Sequence, residues 1–336
     1  MAEDELVTEQ LPERYRPLVS NAREYIAQSL SDATKRAYRQ GWQRFAGWCS
    51  ETNQRAMPAS PSTIALWVTS LADEGAAMST IRLYLVAVGQ AHKSQGHDSP
   101  VDDPRVRQLL QGVPRVRQAD GQPTAPKQAR ALTVPELRAM CEALPADVRG
   151  LRDRAMLLVA FAAALRRSEV VALRWRFLED TDDGVILTIP WSKVDAEGEG
   201  ARVGIPFGSA PATCPVRALR AWRERLFTEW PPSFEGELGG PVFPTIWPGG
   251  RVAVLATSPR AVERALERAA DWGQVPTAGL SAHSLRAGLA TAAARAGKDA
   301  WAIMRQGRWS SRTTVDRYVR EAEVLGDGNA AAGIGL

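Results

Sequence analysis

Five short stretches of the second half of the chain hold side chains suited to chemistry on an anionic group. Arg166 lies in ALRRSE with Glu169 three residues on, Lys193 follows the apolar run GVILTIP, and His283 and Arg286 share HSLR. Trp309 lies in GRWSS, and Tyr318 comes nine residues later in TTVDRYVRE. A guanidinium forks parallel N–H bonds onto anionic oxygens, which an ammonium cannot do. An imidazole gives or takes a proton near neutral pH, an indole N–H only donates, and a phenol becomes a nucleophile once its proton is removed. Each residue also has an ordinary structural use. Arg-Arg-Ser-Glu can be a charge cluster and a helix cap, His283 a polar group at a helix start, and Lys193 a solvated turn residue. Trp309 and Tyr318 can simply pack. The signal is the order and spacing of the whole set.

That set resembles the tyrosine recombinase family, whose catalytic residues run Arg, Lys, His-x-x-Arg, His or Trp, and then Tyr. Matched motif by motif, these are Arg166, Lys193, His283, Arg286, Trp309 and Tyr318, with Glu169 as a supporting residue that orients Arg or His. Trp309 in the fifth place, where most integrases have His, and AGKDAWAIMRQGRW leading to it, are similar to the Cre-like members. The stretch TKRAYRQGWQRFAGWC in the first half resembles the family's core-binding domain, so the likeness covers nearly the whole chain.

The resemblance implies cleavage and rejoining of duplex DNA without metal, ATP or other cofactor. Tyr318 would attack the scissile phosphate to give a 3′-phosphotyrosine and a free 5′ hydroxyl. Arg166 and Arg286 would stabilise the phosphorane-like state, an effect of about 3–4 kcal/mol for each preorganised donor. His283 would donate to the phosphate or accept the tyrosine proton, Trp309 would donate to an oxygen or pack beside Tyr318, and Lys193 would protonate the leaving hydroxyl. Two rounds of exchange through a four-way junction would take place in a homotetramer on two DNA sites. Val324 and Leu325 are candidates for docking onto a neighbouring subunit. A type IB topoisomerase-like relaxation activity, or a non-catalytic architectural protein of the same fold, are the rival readings. The sequence departs from the family's pattern twice. Ala164 stands where Gly is usual, a change expected to alter little beyond backbone freedom. Arg308 stands where Cre-like sequences tend to have Gly, and either a phosphate contact or a solvent-facing side chain is open for it.

The elements that must position these groups are mostly helical. Residues 1–20 read as a loose acidic tail and 21–113 as an all-α block, the core-binding domain by resemblance. Helices are expected over 34–49, from Pro61 behind the N-cap Ser60, over 79–94, and over 104–113. Residues 114–130, rich in Pro, Gly, Gln and basic side chains, read as an exposed linker. The block 131–325 reads as an α+β catalytic domain. It opens with the capping box Thr133-Val-Pro-Glu136, has an apolar helix over 153–165, and forms a hairpin from strands 184–190 and 201–207. Helices follow over 215–230 and, after a Pro/Gly-rich loop, across 258–324. The Gly/Ala-rich 326–336 ends the chain as a loose or partner-docked tail. The fold class is therefore mainly α, with a small antiparallel sheet in the second block. By resemblance the two blocks would close around DNA as a C-shaped clamp, with Thr34, Lys35, Arg36, Arg82, His92 and Lys93 as candidate DNA contacts.

Composition agrees with such a partner. The chain of 336 residues carries a net charge of +4, and between Arg260 and Arg320 eleven basic residues face five acidic ones, as binding a phosphate backbone requires. The acidic N-terminus lacks the layout of a secretion signal, and no apolar run is long enough to span a membrane. Three scattered cysteines suggest neither zinc nor a disulfide framework. A cytoplasmic, nucleoid-associated protein of a bacterial, phage or plasmid setting is expected.

Overall fold

The computed structural model describes residues 30–122, 129–190, 200–230 and 239–323, together with Tyr15, Pro17, Leu18, Asn21, Ala22, Glu24 and Tyr25. Most of the expected N-terminal tail, Lys193, Val324, Leu325 and the whole of 326–336 lie outside the described residues. The chain divides into two units, Met1–Lys127 and Gln128–Leu336.

Between residues 30 and 122 the first unit holds the helices α1 (Asp32–Glu51), α2 (Pro61–Asp73), α3 (Met78–Ser94) and α4 (Pro104–Ala119). Ser31 and Ser60 cap α1 and α2, each accepting a backbone N–H three residues ahead. Phe45 of α1 and Trp67 of α2 are fully buried with their rings 4.8 Å apart, and Ile64, Leu71, Ile81, Leu85 and Val106 complete the core around them. Burying each such side chain is worth about 1.5–3 kcal/mol. Helix α4 continues to Ala119, six residues into the stretch read as linker, despite Pro114 inside it. Arg117 explains the extension. Its two terminal nitrogens donate to the carbonyls of Ala76 and Ala72 at the end of α2, at 2.8 and 2.7 Å, which ties down the last turn of α4.

The second unit is helical with two small antiparallel sheets. Its helices are α5 (Val134–Ala143), α6 (Val148–Ala162), α7 (Arg167–Ala172), α8 (Pro215–Glu229), α9 (Pro259–Trp272), α10 (Ala282–Arg295), α11 (Ala300–Gly307) and α12 (Arg312–Glu323). The first sheet runs β1 (Leu178–Thr181), β2 (Gly184–Ile189), β3 (Ala201–Pro206), with Val185 opposite Ile205 and Leu187 opposite Val203 on its buried face. A second, two-stranded sheet pairs β4 (Pro244–Ile246) with β5 (Val252–Ala256) inside the segment read as a loop. The capping box on Thr133 and Glu136 forms as expected.

Helix α6 is the centre of this unit, and every residue from Ala155 to Phe161 is buried. It begins five residues before the sequence reading placed it. Asp147 caps it by accepting the Gly150 N–H at 2.7 Å, and its first turns bury charge. Arg152 and Asp153 pair at 2.7 Å, and Arg152 also donates to the carbonyl of Pro244. Asp153 takes a further bond from Arg268 of α9, so its buried carboxylate is held between two guanidiniums. Among the described residues no helix is long and apolar enough to cross a membrane.

Candidate active site

The end of α6 sets up the site. After its cap Ala163, the chain turns through Ala164 at φ 46°, and the Leu165 N–H returns to the carbonyl of Ala160 at 2.9 Å. A left-handed residue just past a helix end is ordinarily glycine, because a Cβ there costs roughly 1–2 kcal/mol. The alanine at this position therefore carries a backbone cost, the one effect expected of it. Arg166 follows as the N-cap of α7. Glu169, only 5% exposed, reaches back to it twice: Oε2 accepts the Arg166 backbone N–H at 2.9 Å and Oε1 accepts Nη1 at 2.7 Å.

His283 and Arg286 sit three residues apart in the first turns of α10, whose N-cap Ser281 accepts the His283 N–H. The carboxylate of Glu263 anchors this helix end by accepting the N–H of Ala282 at 2.7 Å. Further along α10, Gly288 allows the close approach that seats the helix. A Cβ there would meet the carbonyl oxygen of Leu132 at 2.2 Å and the ring of Phe161 at 2.7 Å. Arg286 is thereby driven inward, 2% exposed, with Nη1 donating to the carbonyl of Ala164. Its guanidinium lies 4.1 Å from the ring centre of Trp309.

Trp309 owes its place to the end of α11. Gly307 closes the helix, Arg308 takes the left-handed conformation at φ 55°, and the Trp309 N–H caps the carbonyl of Met304. The indole then folds back over Gly307, where a Cβ would overlap it at 1.8 Å. On α12, Tyr318 is 2% exposed, its ring 5.8 Å from that of Trp309 and its hydroxyl 3.2 Å from Nε2 of His283. Five of the six residues expected to be catalytic are thus brought together, with Glu169 among them. The sixth, Lys193, belongs to the connection between β2 and β3, outside the described residues. Nearby, the side-chain amide of Gln306 ties the site to that hairpin by donating to the carbonyls of Ala162 and of Gly204 on β3.

The site is strongly electropositive. Burial, and then the charges of Arg166 and Arg308, pull the Arg286 guanidinium down to about 9, so its charge is uncomfortable without an anion. Its Nη2 is buried and finds no partner among the described residues. Desolvation, followed by the charges of Arg286 and Arg166, holds His283 below its ordinary value, so the imidazole is neutral at pH 7. Burial would raise the Glu169 carboxyl, but Arg308 and Arg166 outweigh it and keep the group ionised. The arrangement offers cations for an anionic oxygen and a neutral imidazole beside a phenol.

Arg308 corrects the sequence reading, which left a phosphate contact or a solvent-facing side chain open. Its side chain turns inward, 8% exposed, and its Nη2 pairs with Glu169 at 2.8 Å. No motif flags this residue; the clue in the sequence is only that it follows the glycine at a helix end.

In the first unit Thr34, Lys35 and Arg36 lie in the first turn and just beyond on α1, the latter two exposed, while Thr34 is half-buried with its hydroxyl 2.9 Å from that of the cap Ser31. Arg82 is exposed on α3, and Lys93 is exposed and 3.5 Å from Asp102. His92 is a correction: it is fully buried, its Nδ1 bonded to the carbonyl of Val88 and its Nε2 accepting the Ala59 N–H at 2.9 Å. Both ring nitrogens are used within the unit, so His92 is a structural residue there.

A model of the phage integrase family matches residues 130–324. An integrase/recombinase XerD homologue of Selenomonas ruminantium is 29% identical over 310 residues, covering 91% of this chain and 86% of the relative. The recombinase Cre of Escherichia phage P1 is 26% identical over 314 residues, 88% of this chain and 86% of its own. The fold is similar to that of a lambda integrase dimer bound to a COC′ core site, with a TM-score of 0.55 at 13% identity over 94% of this chain and 83% of that one.

Proposed function

The chain belongs to the phage integrase family of tyrosine site-specific recombinases, and we propose that it cuts and rejoins duplex DNA at a defined site through a covalent link to Tyr318. The observation that carries this reading is the Tyr318 hydroxyl 3.2 Å from a neutral His283, beside the buried and incompletely bonded Arg286. In the tautomer protonated at Nδ1, His283 Nε2 accepts the phenol proton as Oη attacks phosphorus. The bond from phosphorus to the 5′ oxygen breaks, and that oxygen takes a proton from Lys193. Arg166 and Arg286 hold the non-bridging oxygens, where charge builds up, and the Trp309 N–H is the further donor. The 5′ hydroxyl of the partner strand then attacks the 3′-phosphotyrosine and expels Tyr318, so bond energy is conserved and neither hydrolysis nor a nucleotide is needed.

Two such rounds pass through a four-way junction in a homotetramer on two DNA sites. The first unit is the core-binding domain, and Lys35, Arg36, Arg82, Lys93 and Thr34 are its candidate backbone and groove contacts. With the catalytic unit it closes on the duplex as a clamp, and the segment from Val324 onward docks between subunits.

The test is to select bound fragments from a random-sequence pool with the full-length protein. A nicked, end-labelled copy of the selected duplex is then incubated and run on a denaturing gel. A protease-sensitive adduct on the strand with the 3′ phosphate is expected; specific binding or bending with no adduct would sink the reading. Lys193→Ala is expected to slow adduct formation by about 10²–10⁴-fold. A substrate with sulfur at the bridging 5′ position, whose leaving group needs no proton, should restore the rate. Failure of that rescue removes Lys193 from the role of acid.

A further inference from the structure

Arg308 takes no part in the reaction as described above, yet it is among the most heavily bonded side chains of the site. It occupies a left-handed position, φ 55° and ψ 47°, which is strained for a residue with a Cβ. The side chain that causes this strain is held on four acceptors. Nη1 donates to the carbonyls of Ala163 and Gln306, both at 3.1 Å, and Nη2 to the carbonyl of Ala164 at 3.3 Å and to Oε2 of Glu169 at 2.8 Å. Two of these acceptors also serve the phosphate-holding arginines. The Ala164 carbonyl accepts from Arg286, and Glu169 accepts from Arg166 through its other oxygen.

We infer that Arg308 is a positioning residue for strand cleavage, which occupies one oxygen of Glu169 and the Ala164 carbonyl and so fixes how Arg166 and Arg286 present themselves to the phosphate. The inference rests on the function proposed above. Without Arg308, Oε2 of Glu169, which also accepts the Arg166 backbone N–H, is open to the Arg166 guanidinium beside Oε1. A bidentate pair would then satisfy and neutralise a guanidinium that must instead hold substrate. Arg308 itself is not a substrate contact. Both its terminal nitrogens are engaged, and its Nε is buried without a partner among the described residues. Among the described residues, three guanidiniums around Glu169 leave a net charge of two, where a glycine at this place would leave one.

The experiment compares wild type, R308G, R308K, E169Q and the double variant E169Q/R308G on the nicked, pool-selected duplex, at saturating protein and in single turnover. Glycine accepts φ 55° readily, which offsets part of the stability lost with the buried pair. R308G is expected to bind the duplex within about twofold of wild type and to form adduct about 10- to 100-fold more slowly. R308K should recover only part of that loss, because an ammonium carries the charge but cannot bridge carbonyls and carboxylate together. In the E169Q background the change to glycine should add less than about threefold, the non-additivity expected of a residue acting through its partner. Should R308G melt below the assay temperature, R308K decides: slower cleavage at unchanged melting supports the role, and an unchanged rate overturns it. An unchanged rate in folded R308G, or fully additive losses, also overturns it. Absence of a Tyr318-dependent adduct from wild type would instead overturn the proposed function itself.

Discussion

Tyr318→Phe is expected to bind the selected duplex as tightly as wild type and to form no covalent adduct with it, a loss of at least about 10⁴-fold on the denaturing gel. The ring is fully buried in a cluster with Val315 and Ile303 and lies against Trp309, and phenylalanine keeps all of that packing. What is lost is one oxygen, and with it the contact to Nε2 of His283. His283 is exposed on its outer side, so water can take up the vacated nitrogen, and the expected change in stability is no more than about 1 kcal/mol. Melting and binding curves that overlay those of wild type, together with a blank adduct lane, are the full expectation. An adduct that survives in Tyr318→Phe would move the nucleophile to another residue.

Arg286→Met is expected to lower adduct formation by about 10²–10³-fold without lowering the melting temperature. Methionine retains the apolar contact with the indole of Trp309 and removes only the charge and its donors. The stability half of this prediction follows from linkage. Burial pulls the folded-state pKa of Arg286 down to about 9, well below its ordinary value, so between the two the unfolded chain binds more protons and stability rises with pH. At neutral pH, below both values, the charge is a net burden on the phosphate-free fold. Its removal should be neutral or stabilising, although the Ala164 carbonyl keeps only the bond from Arg308. The same substitution takes away a nearby cation that depresses His283, so the histidine should titrate at higher pH in the variant, visible by NMR of the ring. A variant that cleaves normally, or one that cleaves poorly only because it has unfolded, would contradict the assignment.

Much of the site could be read from the sequence because its members belong to short motifs whose order survives in one chain. Arg166, His283, Arg286 and Trp309 each lie at or near a helix end marked by a cap or a glycine, so their placement follows from local rules, and Tyr318 follows from the short step to the next helix. His92 was misread because His-Lys at a helix end looks solvent-facing. Its spacing from Ile81, Leu85 and Val88 puts it on the buried stripe of α3, and that periodicity was the better guide. Strand β1 escaped because LEDT has no apolar alternation. It is an edge strand whose Glu179 and Asp180 pair with Arg202, Arg220 and Arg223, so its fixed partners are charges contributed from distant sequence. The β4–β5 pair is short and set among prolines and glycines, which read as loop. The inward turn of Arg308 could not be read at all. It depends on carbonyls freed at the end of α6, more than a hundred residues away in the chain, and only the folded unit brings them within reach.

The small cluster under Tyr318 has one more consequence. Ala287, Ala290, Ile303, Val315 and Tyr318 form a buried group of their own, apart from the large core around α6. Val315 and Tyr318 are the buried residues that α12 gives to this cluster, against the unbroken buried run from Ala155 to Phe161 in α6, so the amide hydrogens of α12 are expected to exchange with solvent at a lower free energy than those of α6, as hydrogen exchange would check. On that expectation the helix that carries Tyr318 would open at a lower cost than the scaffold that carries the arginines. Under the proposed function, competence to cut would then depend on the local order of the twelve residues from Arg312 to Glu323, without any change in the rest of the fold.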